Sequence, residues 1–253
     1  MAKLDKTKYT KEEAARLMEI RRLEKTSREK KQEFATRAKP IIFDTEPEVI
    51  DIDRFRHNQQ TAFVLGNGKS RETIEPVELK KYGPIYGCNA LYRTFRPDYL
   101  IAVDVKMVLE ITKTNFQKHN QVWTNINNSY NGIQKLNFFQ PSKGWSSGPT
   151  ALWLSGQHRH KKIYILGFDY RGLDNGRQFN NLYADTPNYK KSQDGATFFG
   201  NWLRQTVAVV KEHTETEFIR VIVPDNYCPE ELNKLENYST ITVAEFKNQF
   251  VLP

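Results

Sequence analysis

Cysteine is scarce in this 253-residue chain: only Cys88 and Cys228 occur, far apart in sequence. That usage excludes a disulfide framework and a cysteine-built metal cluster, and it fits a reduced, intracellular setting. Long apolar runs are missing as well. Hydrophobic residues make up 38% of the chain, yet no run approaches the ~18 residues of a membrane span. The opening "MAKLDKTKYTKEE" has no apolar segment of the kind a secretory signal needs. The expected location is the cytoplasm, with no membrane span. No internal repeat and no low-complexity linker divides residues 46–253. The common phosphate fingerprints are absent too: "TAFVLGNGKSRETI", residues 61–74, lacks the third glycine of G-x-G-x-x-G and the frame of G-x-x-x-x-G-K-[ST].

What the chain does have is an uneven charge. Of the net +8, residues 1–40 hold 13 Lys and Arg against 7 Asp and Glu. Thr10 and Glu13 have capping-box spacing, the interior is rich in helix formers, and Pro40 supplies a stop. The apolar residues Ala14, Leu17, Met18, Ile20 and Leu23 cover only a short stripe before the sequence turns almost wholly charged. Residues 1–45 therefore read as a basic helical arm. It is either a solvated, charge-laced helix or the contact for a protein or nucleic-acid partner.

From residue 46 to 253 the pattern becomes a second unit, in which short β-rich runs alternate with helical segments. Strands are expected at "TAFVLG", "PIYGCN", "DYLIAVD", "QVWTN", "KLNFF", "KIYILGFD", "FIRVIV" and "TITV". Helices are expected at 105–116, 149–159, 195–212, 230–236 and 244–250. Several strands are continuous apolar runs, as strands buried on both faces are. Helices between such strands imply crossovers and a mostly parallel sheet. The fold class is α/β, a Rossmann-like doubly wound domain carrying an N-terminal helical arm.

In such a sheet, ligands bind beyond the carboxyl ends of the strands, where strand order reverses. The residues ending the strands are, Phe168 apart, small or polar: Gly66-Asn67-Gly68, Cys88-Asn89, Asp104 and Gly167-Phe168-Asp169. "GNGKS" is expected to bring backbone N–H groups to an anion, or else to be an ordinary turn. Asp104 is a ligand, an N-cap of the helix that follows, or both. Ser146, Ser147 and Gly148 precede Pro149 at a helix start, where free N–H groups and hydroxyls hold an anion or simply cap the helix. "NNLYADTPNYKKSQDG", with Tyr183, Tyr189, Lys190 and Lys191, has the composition of a lid that grips a phosphate, or of a solvated loop.

The series "VLGNGKSR", "PIYGCNALY", "DYLIAVD", "SSGPTALWLS", "KKIYILGFDY" and "NLYADTPNY" resembles the bacterial lipooligosaccharide sialyltransferases and a wider G-N-G-P-S group that includes proteins of tailed phages. The resemblance implies a nucleotide-sugar fold of the glycosyltransferase A-type variant, working without a metal or other cofactor. It implies a nucleotide-sugar donor, with CMP as the candidate nucleotide. Gly66, Asn67, Gly68 and Ser70 would line the nucleotide phosphates and sugar, and Asn89 would contact the donor. Ser147 and Gly148 would meet the base or ribose, Gly167 and Asp169 would flank the nucleotide, and Tyr183 with Tyr189 would stabilise the departing phosphate.

The chain departs from that group at three points. Lys69 replaces its proline, Asp104 stands where an asparagine is usual, and no histidine occurs between His160 and His213 to act as base. Asp104 is the remaining candidate for the catalytic acid-base role. Three functions follow as expectations. The first is a glycosyltransferase-like protein transferring an activated sugar to an unknown acceptor. The second is an inactive structural or docking protein of a phage particle. The third is a nucleotide-dependent diphosphokinase, because an archaeal pterin diphosphokinase family is built on a similar domain.

Overall fold

A computed structural model describes residues 60–252. The basic arm, the capping box at Thr10 and the first part of the expected second unit lie outside the described residues.

Eight strands form one sheet: β1 (Thr61–Leu65), β2 (Ile85–Cys88), β3 (Tyr99–Ile101), β4 (Gln121–Asn125), β5 (Leu136–Phe139), β6 (Lys162–Leu166), β7 (Glu217–Ile222) and β8 (Tyr238–Thr242). Their order is β5-β4-β3-β2-β1-β6-β7-β8, and every neighbouring pair is parallel. The expected mostly parallel sheet is thus parallel throughout. Strand order runs outward from β1 to β5, returns to the centre, and continues from β6 to β8 on the other side. The reversal falls between β1 and β6, which pair along their whole length from Thr61 opposite Lys162 to Leu65 opposite Leu166.

Among the described residues five α-helices flank the sheet: α1 (Val105–Lys113), α2 (Ser147–Gln157), α3 (Gly200–Glu212), α4 (Glu230–Asn233) and α5 (Val243–Gln249). The central strands feed two faces. In β1, Ala62 and Val64 point into one core with α2 and α3, while Phe63 and Leu65 point into the other with α5. Leu100 and Val122, from β3 and β4, share a third cluster with Met107, Val108 and Ile111 of α1. Burial on both faces is why β1 is an unbroken apolar run rather than an alternating one.

Helix ends differ from the sequence expectation for identifiable reasons. The first helix stops at Lys113 because Asn115 takes a left-handed conformation, φ 59°, and a separate 3-10 turn, Phe116–Lys118, follows. The second begins at Ser147, two residues early, since a proline in the first turn loses no intrahelical bond. The third begins only at Gly200, which leaves residues 195–199 as a loop leading into the helix.

Candidate functional site

At the carboxyl edge, the first residues past β1 and β6 press together. Gly66 N–H donates to Leu166 O at 2.8 Å and Gly68 N–H to Gly167 O at 2.9 Å, so the pairing of the two strands runs on beyond their ends. A Cβ on Gly66 would sit 2.5 Å from Gly167 O, and one on Gly68 2.5 Å from Asp169 Oδ2. Glycine is required because two backbones share this space.

The amides of the "GNGKS" loop are therefore not an open cradle. Besides Gly66 and Gly68, Lys69 N–H donates to Asn180 Oδ1 at 2.9 Å and Ser70 N–H to Asp169 Oδ2 at 3.2 Å. Asn180 Nδ2 donates to the same Asp169 oxygen at 2.9 Å. A carboxylate and a side-chain carbonyl of the chain itself occupy the positions where an anion's oxygens were expected. Asn67 is similarly engaged: Nδ2 donates to Cys88 O at 3.1 Å, and Oδ1 accepts from Arg71 Nη2 at 3.3 Å. The buried Arg71 also donates from Nε to Gly66 O at 2.5 Å, bracing the loop from within. Burial pushes the nearby Cys88 thiol up to about 12, with the Arg71 charge opposing it, so this cysteine stays protonated.

Two strand ends and a helix start are joined by a relay. Val103 N–H donates to Ser147 Oγ at 3.1 Å, and Ser147 Oγ donates to Asn89 Oδ1 at 2.8 Å. Asn89 ends β2 with φ 51°, a left-handed conformation that asparagine tolerates better than most residues. Tyr170, past β6, has the same unusual sign at φ 51° and is fully engaged, its hydroxyl donating to Thr206 Oγ1 at 3.0 Å. A bulky residue held there is strained, and such residues cluster at ligand sites. Asp104 occupies the N-cap position of α1, and its carbonyl accepts from Val108 N–H at 3.0 Å. Its carboxylate makes no capping bond and is exposed. Of the two roles open to it, side-chain capping is not the one it plays.

These elements enclose a cleft of about 360 Å³. Of the thirteen residues given a binding or catalytic role from the sequence, nine line it: Gly66, Asn67, Gly68, Asn89, Asp104, Ser147, Gly148, Gly167 and Asp169. The other four do not. Ser70 closes the loop and is buried, its backbone N–H held by Asp169 Oδ2. Tyr183 Oη pairs with Thr94 Oγ1 at 2.9 Å, and Tyr189 Oη accepts from Ala90 N–H at 3.3 Å and Asn67 Nδ2 at 3.4 Å. Lys190 Nζ donates to Gly195 O at 3.3 Å. Both phenols are turned into packing, and burial holds the Tyr189 hydroxyl well above its ordinary pKa.

The segment carrying them is a fastened strap. Leu182 N–H donates to Asn67 O at 2.8 Å. Arg93 forms a two-pronged pair with Glu110 at 2.7 Å per bond, and also donates to Thr186 Oγ1 at 2.7 Å and Pro187 O at 2.9 Å. Burial works against the Arg93 charge, and the Glu110 contacts more than offset it.

Sequence reasoning placed Phe168 at a strand end but missed the rest of the cleft's aromatic wall, Tyr170, Phe179, Phe199 and Trp202, and its cation, Arg171. Phe199 stands in "ATFFGN", an aromatic pair directly ahead of a helix, and that pairing was the available signal. Among the described residues no three His, Cys, Asp or Glu are grouped to hold a metal ion, and no helix is long and apolar enough to cross a membrane. Compared with known proteins, the chain matches no family model, and neither a curated protein nor a solved structure matches it. The resemblance noted above is therefore carried by its short segments alone, and the parallel α/β fold stands on the structure.

Proposed function

We propose that this protein is glycosyltransferase-like and binds a nucleotide-activated sugar in the cleft. The observation that carries the reading is the convergence of Asn89, Asp104, Ser147 and Asp169, from four separate parts of the chain, on one cleft where strand order reverses. Its aromatic wall suits a nucleobase, and its amides, hydroxyls and carboxylates suit ribose and sugar hydroxyls. With the amides of Gly66, Gly68, Lys69 and Ser70 engaged, the phosphate falls to the amino end of α2, where Ser147 and Gly148 open the first turn, and to Arg171. Asp104 then takes the proton of the acceptor hydroxyl as its oxygen bonds to the anomeric carbon. The bond from that carbon to the phosphate oxygen breaks, and the nucleotide leaves as an anion.

A second reading, an inactive scaffold with the same fold, is favoured by the amides spent within the loop and by the strap fastened through Arg93. Nucleotide release from CMP-, UDP- and GDP-linked sugars separates the two. Release by the wild-type chain, lowered about 100-fold or more in Asp104→Asn with donor binding retained, is the expected outcome. No release from any donor favours the scaffold.

A further inference from the structure

Residues 111–168 contain no Asp or Glu but seven Lys and Arg. Two of these cations are paired across the fold, Lys143 with Glu212 and Lys162 with Glu217. Lys113, Lys118 and Lys135 instead surround a depression of about 550 Å³ formed by the last turn of α1, the 3-10 turn after it and the turn that enters β5. All three are exposed, and none has an ion-pair partner among the described residues. Gln117 lines the same depression. It is 6% exposed, and its Oε1 has no hydrogen-bond partner. The depression lies at the opposite end of α1 from Asp104, and nine helical residues separate the two by ~13 Å.

The helix dipole accounts for a cation in the last turn of α1, which is Lys113. It accounts for neither Lys118 nor Lys135, which stand on other elements, nor for a buried carbonyl oxygen without a donor. Three ammonium groups call for an anion. An unpaired acceptor on a residue of the same lining calls for a hydrogen-bond donor on that ligand.

We propose that this depression binds an oxyanion that itself carries an O–H group, the chemistry of hydrogen phosphate and of phosphorylated sugars. The lysines hold the charged oxygens, and Gln117 turns its buried Oε1 outward to accept from the O–H. A nucleic-acid backbone fits less well, because a phosphodiester has no O–H on phosphorus. The site is separate from the cleft, and the proposal does not rest on glycosyl transfer.

Calorimetric titration of the full chain with hydrogen phosphate, and with sulfate at matched ionic strength near neutral pH, tests it. Sulfate has the charge without the donor, so phosphate should bind saturably and more tightly. Lys118→Gln and Lys135→Gln should each weaken both anions about two- to fivefold, the range of an exposed charge contact. Gln117→Met should erase the preference for phosphate while leaving sulfate binding in place. Absence of saturable phosphate binding, equal affinity for the two anions, or indifference to the lysine substitutions would overturn the proposal. A single-stranded oligonucleotide that outcompetes phosphate at these lysines would overturn it in favour of nucleic acid. Should Gln117→Met fail to fold, the exposed lysine variants and the wild-type comparison of the two anions decide the matter alone.

Discussion

At the scale of single residues, Asn67 and Asp104 look alike in sequence, each a polar residue closing an apolar strand, and the structure gives them opposite jobs. Asn67 ties the β1 loop to Cys88 O and to Arg71. Removing its amide strands a buried carbonyl and a buried guanidinium, so Asn67→Ala should cost about 1–3 kcal/mol of stability. Asp104 makes no side-chain cap. Asp104→Ala should therefore cost well under the ~1 kcal/mol typical of a lost N-cap. Urea denaturation of both variants checks the pair, and a larger loss for Asp104→Ala would reverse the assignment. The glycines of "GNGKS" were legible as a place where backbone approaches something closely. What approaches was not legible: the partners are Gly167 and Asp169, about a hundred residues downstream, and no local pattern announces that a loop's amides are already satisfied from so far away.

At the scale of elements, the strands were the most legible part. All eight were readable because buried parallel strands are short, apolar and β-branched, bounded by turn residues. Helix starts were less so, since Gly-Pro at 148–149 and the Gly195–Phe199 loop each blur where the first turn begins. The segment around Tyr183 and Tyr189 was readable as a long polar loop but not as a fastened one, because its clasp, Arg93 with Glu110, comes from elements on the other side of the sequence motif. The clasp predicts a local effect. Arg93→Gln should speed deuterium uptake over residues 182–189, where Leu182 N–H bonds to Asn67 O, while β1 and β6 stay protected. Unchanged uptake over 182–189 would show that the strap is held by its packing and not by Arg93.

At the scale of the whole molecule, the two edges of the sheet carry different chemistry. The carboxyl edge holds the polar cleft. Toward the amino edge, a buried network joins β2 to the end of α2 and the start of β6: Tyr86 Oη lies 2.5 Å from His158 Nδ1 and 2.9 Å from His160 Nε2. Burial lowers the His158 pKa from its ordinary 6.5. The folded chain thus disfavours the proton that the unfolded chain accepts. Stability from this group is complete above the unfolded pKa and is lost as pH falls below it toward the lowered folded value. The melting temperature should accordingly drop more steeply on acidification below about pH 6.5 in the wild type than in His158→Gln, which keeps an acceptor for Tyr86 without titrating. Parallel pH profiles for the two would remove His158 from the account. Whether the cleft at the ends of β1 and β6 takes a nucleotide-activated sugar is decided by thermal shift with CMP, UDP, GDP, ADP and their sugars. A true ligand at a hundred times its Kd adds about 2.7 kcal/mol by mass action. The account predicts a rise in melting temperature with at least one nucleotide and a larger rise with its sugar; an unchanged melting temperature across the whole panel would contradict it.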